Sequence, residues 1–320
     1  MRLLPARKHI PILATVAVTV ALYVAAGLKF DGFFSWTVLI NFFADNSFLG
    51  IVAVGMTFVI LSGGIDLSVG AVVGFVSILA GVLMEQKKLP PLVVVPLCLV
   101  CGLALGAAMG VLISQFNLPP FLVTLAGMFL ARGLGFVTSI ESAPITNSFF
   151  TSLADYRLNI GPDIAVPFTA LAFLAVVLAA AVLAQSTCFG RAVYAVGGNE
   201  EAARLMGLPV ARTKIGVYAL SGLCSAFAGL VYCVYSSSGN PTAGTGMELD
   251  AIAAVVIGGT LLSGGVGYVA GTIFGVLILG IIQTAIMFQG TLSSWWTKIA
   301  IGLLVLVFIL LQRLLSRRTV

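Results

Sequence analysis

Long apolar runs separated by short polar breaks make up most of the chain. About ten of them approach the ~20 residues that cross a bilayer as helix. They run roughly over 11–28, 37–61, 67–85, 91–114, 119–139, 164–185, 214–236, 249–263, 267–288 and 293–312. A helix that is apolar all round, rather than along one stripe, belongs in lipid or inside a larger bundle. Two runs end on the same four letters, "LSGG", at 61–64 and 262–265. The eighth run is short and glycine-rich, and with the break after the second it predicts broken or re-entrant helices. The two LSGG copies lie 201 residues apart, and Gly70 and Gly271 keep that offset. An internal repeat of the kind common in transporters explains the spacing, as does chance recurrence of common residues. The expected fold is all-α, a polytopic transmembrane bundle of about ten spans forming a single membrane domain over 1–320.

Composition agrees with that pattern. The 320 residues are 60% hydrophobic and 8% charged, with mean hydropathy +1.16, whereas soluble domains carry about 25% charged residues. The net charge of +5 sits in three clusters beside apolar runs rather than on an aromatic-studded surface, which excludes nucleic acid as a partner. Arg2, Arg7 and Lys8, then Arg191, Arg204, Arg212 and Lys214, then Arg313, Arg317 and Arg318 put the N-terminus, the 186–213 loop and the C-terminus on the cytoplasmic side. Ten spans satisfy all three. Lys87 and Lys88 fall outside in this scheme, against the rule, and the polar island 140–163 also lies outside. The basic start followed by an apolar run has the look of a signal peptide, but 10–28 is longer than a signal core and more spans follow, so an uncleaved first helix is expected. Cys98 and Cys101 are spaced as C-x-x-C inside an apolar helix, with His9 the only histidine, and no metal site is expected.

LSGG also opens the signature of ABC-type ATPases. Such an enzyme needs a phosphate-binding loop of the form G-x-x-x-x-G-K-[ST], and the dipeptide Gly-Lys is absent from the chain. The chain is therefore expected to be no enzyme and to hold no cofactor; any ATP would be bound by a partner subunit.

The stretches "GMTFVILSGGIDLSVGAVVG", "NLPPFLVTLAGMFLARG", "RAVYAVGGNEEAARLMGL", "ELDAIAAVVIGGTLLSGGVG" and "GTLSSWWTKIAIGLLVLVFILLQR" resemble the permease subunits of bacterial ribose-type sugar ABC importers. The likeness runs from about residue 10 to 315 and, through "GTLSSWWTKIAIG", is strongest to a galactofuranose transporter permease. It implies a multi-pass protein of the bacterial inner membrane that imports a pentose or galactofuranose-like monosaccharide by alternating access. It also implies an ABC ATPase subunit, a periplasmic sugar-binding protein and a second, identical or homologous permease as partners. The rival readings are an ion-gradient-driven secondary transporter, for which Arg132 is the one clear mid-span ionisable residue, and a membrane scaffold.

Candidate functional residues fall in two groups. In the 186–213 loop, Asn199 suits a helix N-cap, Glu200 and Glu201 suit its first turn, and Glu200 can pair with Arg204. Gly207 and Pro209 suit its end. The predicted helix, 200–206, carries Ala202, Ala203, Leu205 and Met206. It either lies on the permease itself or, as the resemblance implies, docks into an ATPase groove as a coupling helix. The second group concerns the translocation path or gate: Asn46, Ser62, Gly63, Gly64, Asp66, Ser68, Glu248, Asp250 and Trp295. Asp66, with Ser68 nearby, suits the N-cap of the span from Leu67, and its carboxylate also suits sugar hydroxyls. Glu248 and Asp250 suit the first turn of the eighth helix or an external mouth. Arg132 either reaches the membrane surface or pairs with an acid such as Glu141. Trp295 and Trp296, beside Lys298, suit an aromatic belt or sugar stacking. Asn46, Asn117, Gln283 and Gln289 suit a hydrated path or interhelical bonds.

Overall fold

The computed structural model describes residues 10–161, 164–290 and 295–317. Arg2, Arg7, Lys8, His9, Asp163 and Arg318 lie outside the described residues. In chain order the helices are α1 (Ile10–Lys29), α2 (Trp36–Asp45), α3 (Ser47–Leu61), α4 (Val69–Glu85), α5 (Pro91–Gln115), α6 (Pro120–Thr138), α7 (Ser148–Asp155) and α8 (Phe168–Ser186). They continue with α9 (Cys188–Gly198), α10 (Glu200–Leu205), α11 (Val210–Ser236), α12 (Met247–Ile257), α13 (Val269–Gln289) and α14 (Trp295–Arg317). Two small antiparallel pairs, β1 (Ala143–Pro144) with β4 (Ser238–Gly239) and β2 (Arg157–Gly161) with β3 (Ile164–Pro167), bind the loops at one end.

Among the described residues, six helices are each long and apolar enough to cross a bilayer: α1, α5, α6, α8, α11 and α13. The second apolar run is a bent pair, α2 and α3, meeting at 56° where Asn46 ends one helix and begins the next. Two further runs give shorter helices. α4 has 17 residues and α12 has 11, in place of the eighth run predicted over 249–263, because Gly258 and Gly259 end it.

The short helices are the inner ones. α3 and α4 are buried along almost their whole length, and α12 is buried beyond its first turn, as the lack of a polar face there requires. The longer helices surround them. α11 packs along α5 through small residues: Gly102, Gly106 and Gly110 face Gly222 and the α11 backbone, and a Cβ at Gly110 would sit 2.8 Å from Ile215 Cα. Such spacing lets two backbones approach without a gap, the usual basis of helix association in lipid. Hydroxyls serve as cross-links. Thr15 Oγ1 donates to the Ile257 carbonyl at 2.6 Å, and the Thr57 and Thr272 hydroxyls meet at 2.7 Å.

Helix starts recur at a fixed distance: Ile10 and Val210, Ser47 and Met247, Val69 and Val269. In both halves a buried helix ends at or shortly before LSGG and a new helix follows. α1 packs on α13 as α11 packs on α4. The helix starts, 200 residues apart, and the LSGG copies, 201 apart, thus mark an internal repeat, with each half lending its first helix to the other.

Candidate functional site

The two LSGG breaks, far apart in sequence, meet. α3 stops at Leu61 because Gly63 turns left-handed at φ +82°, and the Gly64 N–H folds back to the Val59 carbonyl. That ending frees the Leu61 carbonyl, which accepts the N–H of Gly265 from the second copy at 2.9 Å. Gly264 and Gly265 are left-handed too, at φ +85° and +75°.

A third strand of backbone closes the junction. Gly197 and Gly198, the last residues of α9, lie against both breaks. A Cβ on Gly197 would overlap the Leu61 carbonyl, and one on Gly265 would come within 2.7 Å of Gly198 Cα. The Tyr194 hydroxyl of α9 donates to the Gly267 carbonyl at 2.9 Å. Three chain segments therefore touch backbone to backbone, in a space where a Cβ on Gly197, Gly264 or Gly265 would collide with backbone. Of the predicted path residues, Ser62, Gly63 and Gly64 belong here; Gly197 and Gly198 were visible as a glycine pair, but nothing in the sequence said what they touch.

The junction leads directly into α10. Asn199 caps that helix, its Oδ1 accepting the Ala202 N–H at 2.9 Å, and Glu200 and Glu201 occupy the first turn. Gly207, at φ +77°, ends it. The helix spans Glu200–Leu205 with Met206 as its C-cap. Ala203 is fully buried against Val196 and Val210, which holds α10 on the body of the protein. Leu205 and Met206 point away and are 89% and 69% exposed, a bare apolar tip of the kind that marks a contact surface. The expected Glu200–Arg204 pair forms at 3.4 Å, but Lys214 reaches Glu200 more closely, at 2.7 Å. Lys214 lies on α11, so this bond ties α10 to that helix.

Asp66 has a different role from the cap expected of it. α4 begins at Val69, with Ser68 at its N-cap position. Asp66, fully buried, accepts from the Ser68 N–H at 2.9 Å and the Ser68 hydroxyl at 2.6 Å. Its other oxygen accepts from the Ser221 hydroxyl of α11 at 2.7 Å. The carboxylate therefore rivets the first break to α11, and both its oxygens are engaged.

The remaining candidates lie outside the glycine junction, with Glu248 beside Gly70 in the first turn of α4. Asn46 sits at the α2–α3 bend, its amide donating to the Phe42 carbonyl at 3.0 Å and packing on Gly280 of α13. Glu248 and Asp250 occupy the first turn of α12. Arg132 does not pair with Glu141; its guanidinium donates to the carbonyls of Pro241 and Ala243 at 2.6 and 2.9 Å. Those carbonyls belong to the loop that leads into α12, and they lie within reach because α6 packs on α4 beside it. Trp295 starts α14, 76% exposed. Lys298, one turn on, holds Asp250 through both carboxylate oxygens at 2.8 and 2.6 Å, a pairing across 48 residues that no local spacing announces.

Residues 38–310 match the family described as branched-chain amino acid transport system / permease component. The inner membrane ABC transporter permease protein YjfF of Escherichia coli K12 is 50% identical over 307 residues, 96% of this chain and 93% of that one. The fructose import permease protein FruG of Bifidobacterium longum is 38% identical over 96% of this chain and 92% of its own length. The ribose import permease protein RbsC of E. coli K12 is 39% identical over 93% and 92%. No solved structure matches the chain.

Proposed function

The chain belongs to the branched-chain amino acid transport system / permease component family, and from that premise we propose that it is the membrane-spanning subunit of an ATP-binding cassette importer for a monosaccharide. The observation that carries this reading is the junction of two broken helices on the glycine pair that precedes α10. A coupling helix needs a rigid route to the moving part of the path, and backbone-on-backbone contact is the stiffest available. Asn199, Glu200, Glu201, Ala203, Arg204, Met206 and Gly207 shape the docking helix. Ser62, Gly63, Gly64, Asp66 and Ser68 shape the gate that it moves.

The partners in this reading are an ABC ATPase subunit beneath α10, a periplasmic sugar-binding protein above, and a second permease, identical or homologous, completing the path. The protein sits in the bacterial inner membrane with α10 and both termini in the cytoplasm. Sugar is favoured over amino acid as cargo because full-length relatives carry the names ribose and fructose import permease. Within the sugars, the "GTLSSWWTKIAIG" stretch favours a galactofuranose-like cargo.

The test is reconstitution. The purified chain alone should show no ATP turnover. With its ATPase and second permease in proteoliposomes, hydrolysis should rise on adding sugar-loaded binding protein, and labelled sugar should accumulate. Specific hydrolysis by the isolated chain, or a complex that carries leucine and no sugar, refutes the reading.

A further inference from the structure

Several sizeable cavities lie among the described helices. Three, of about 520, 510 and 440 Å³, are walled almost wholly by hydrocarbon side chains, and lipid chains or neighbouring helices satisfy such walls. Another is different. It measures about 490 Å³ and opens between α3, α12, α13 and α14, at the ends remote from the glycine junction. Asp250, Gln283, Thr297 and Lys298 line it together with an apolar wall that includes Leu279 and Ile301. A volume of this size lies within the ~300–1,000 Å³ of small-molecule sites, which typically set a few convergent polar groups in an apolar frame.

The polar groups have capacity to spare. Lys298 spends its bonds to protein on Asp250, leaving a third N–H, and each carboxylate oxygen keeps a lone pair. The pair is no buried rivet: the Asp250 and Lys298 side chains are 23% and 53% exposed. Gln283 is exposed on α13, a mostly apolar helix, and makes no hydrogen bond among the described residues. A charged pair and a primary amide among apolar helices are costly against hydrocarbon and are placed where water or a polar solute reaches them. The ion pair neutralises itself, so the cavity offers donors and acceptors without net charge. That matches a neutral polyol, whose adjacent hydroxyls both donate and accept and whose C–H face suits Leu279 and Ile301. A zwitterion would have to compete with the internal pair.

We propose that this cavity is a subsite for a neutral monosaccharide on the path, held by Asp250, Gln283 and Lys298. The proposal rests on the transport reading above and adds to it where the sugar is held. The test uses the reconstituted complex of this chain with its ATPase, second permease and binding protein, supplied with labelled D-ribose, D-fructose and D-galactose. Gln283→Leu leaves the ion pair intact. The exchange Asp250→Lys with Lys298→Asp keeps a pair but reverses its polarity. Each should lower kcat/KM for import about tenfold, partly through KM, and alter the preference among the three sugars. ATPase stimulation by loaded binding protein should stay within about twofold of the parent, which a merely structural defect would not allow. Parental import and preference in both variants overturn the subsite. So does joint loss of import and ATPase stimulation, which would place these residues in coupling. If the parent imports leucine and none of the sugars, the transport reading falls and the subsite with it.

Discussion

Gly197 and Gly198 are neighbours with opposite tolerances. A methyl group at Gly197 meets the Leu61 carbonyl, which is backbone and cannot swing aside, whereas one at Gly198 meets nothing within 4 Å. Gly197→Ala is expected to cost about 1–3 kcal/mol, the range for forced overpacking, and Gly198→Ala less than about 0.5 kcal/mol. Thermal unfolding in detergent checks the pair, and equal midpoints would mean that the junction opens freely. The sequence made the glycines visible but not their partners. Their significance lies in contacts to 61 and 265, and no local spacing encodes such contacts. Asp66 illustrates the same limit. A carboxylate ahead of a helix reads as a cap, and only the arrival of Ser221 from α11 shows a bridge.

Elements were more legible, because helix ends are written locally. Asn199, the two glutamates and Gly207 specified α10 to within a residue, since capping and left-handed turns depend on a few adjacent side chains. The LSGG stop after α3 was equally readable for the same reason, whereas α12 ends before the second copy, at Gly258 and Gly259. What escaped was how α10 is fixed: Ala203 inward against Val196 and Val210, and Glu200 bound to Lys214. That orientation decides which residues are free to dock. Met206, outward and 69% exposed, can be changed without disturbing the body of the protein. Met206→Glu is expected to leave inserted protein at parental levels. In an ATPase groove an unpaired charge costs several kcal/mol, so co-purification of the ATPase should fall by at least ~100-fold. Ala203→Leu should instead lower the amount of folded protein, because that site has no room. If Met206→Glu keeps its ATPase and imports like the parent, the exposed tip is not the docking face.

At the scale of the whole molecule, the question is how many times the chain crosses the membrane. α12 is the doubtful element, since 11 residues rise only ~16 Å, about half of a ~30 Å hydrocarbon core. Its continuation resolves the matter. Residue 265 reaches Leu61 and the glycines beside α10, while α12 begins beside Gly70 in the first turn of α4 and meets Lys298 through Asp250. The loop 239–244 runs along α4 from Ser77 to Gly70; that loop, the helix and its glycine-rich extension together traverse the protein, and α13 starts back from the junction. The repeat makes this a requirement: a re-entrant α12 would reverse the second half relative to the first and separate the two LSGG turns. Four crossings then lie between α10 and the C-terminal end of α14, so both should face the same side. One crossing, α8, separates α10 from Asp155 at the end of α7, so that residue should face the other. In intact cells, a cysteine replacing Glu201 or Ser316 should resist an impermeant thiol reagent, while one replacing Asp155 should react, each compared with the parent carrying its native cysteines. Labelling at 316 with protection at 201 would mean that α12 turns back inside the membrane. The glycine junction could not then join the two halves at a single face, and coupling from α10 to both gates at once would lose its structural basis.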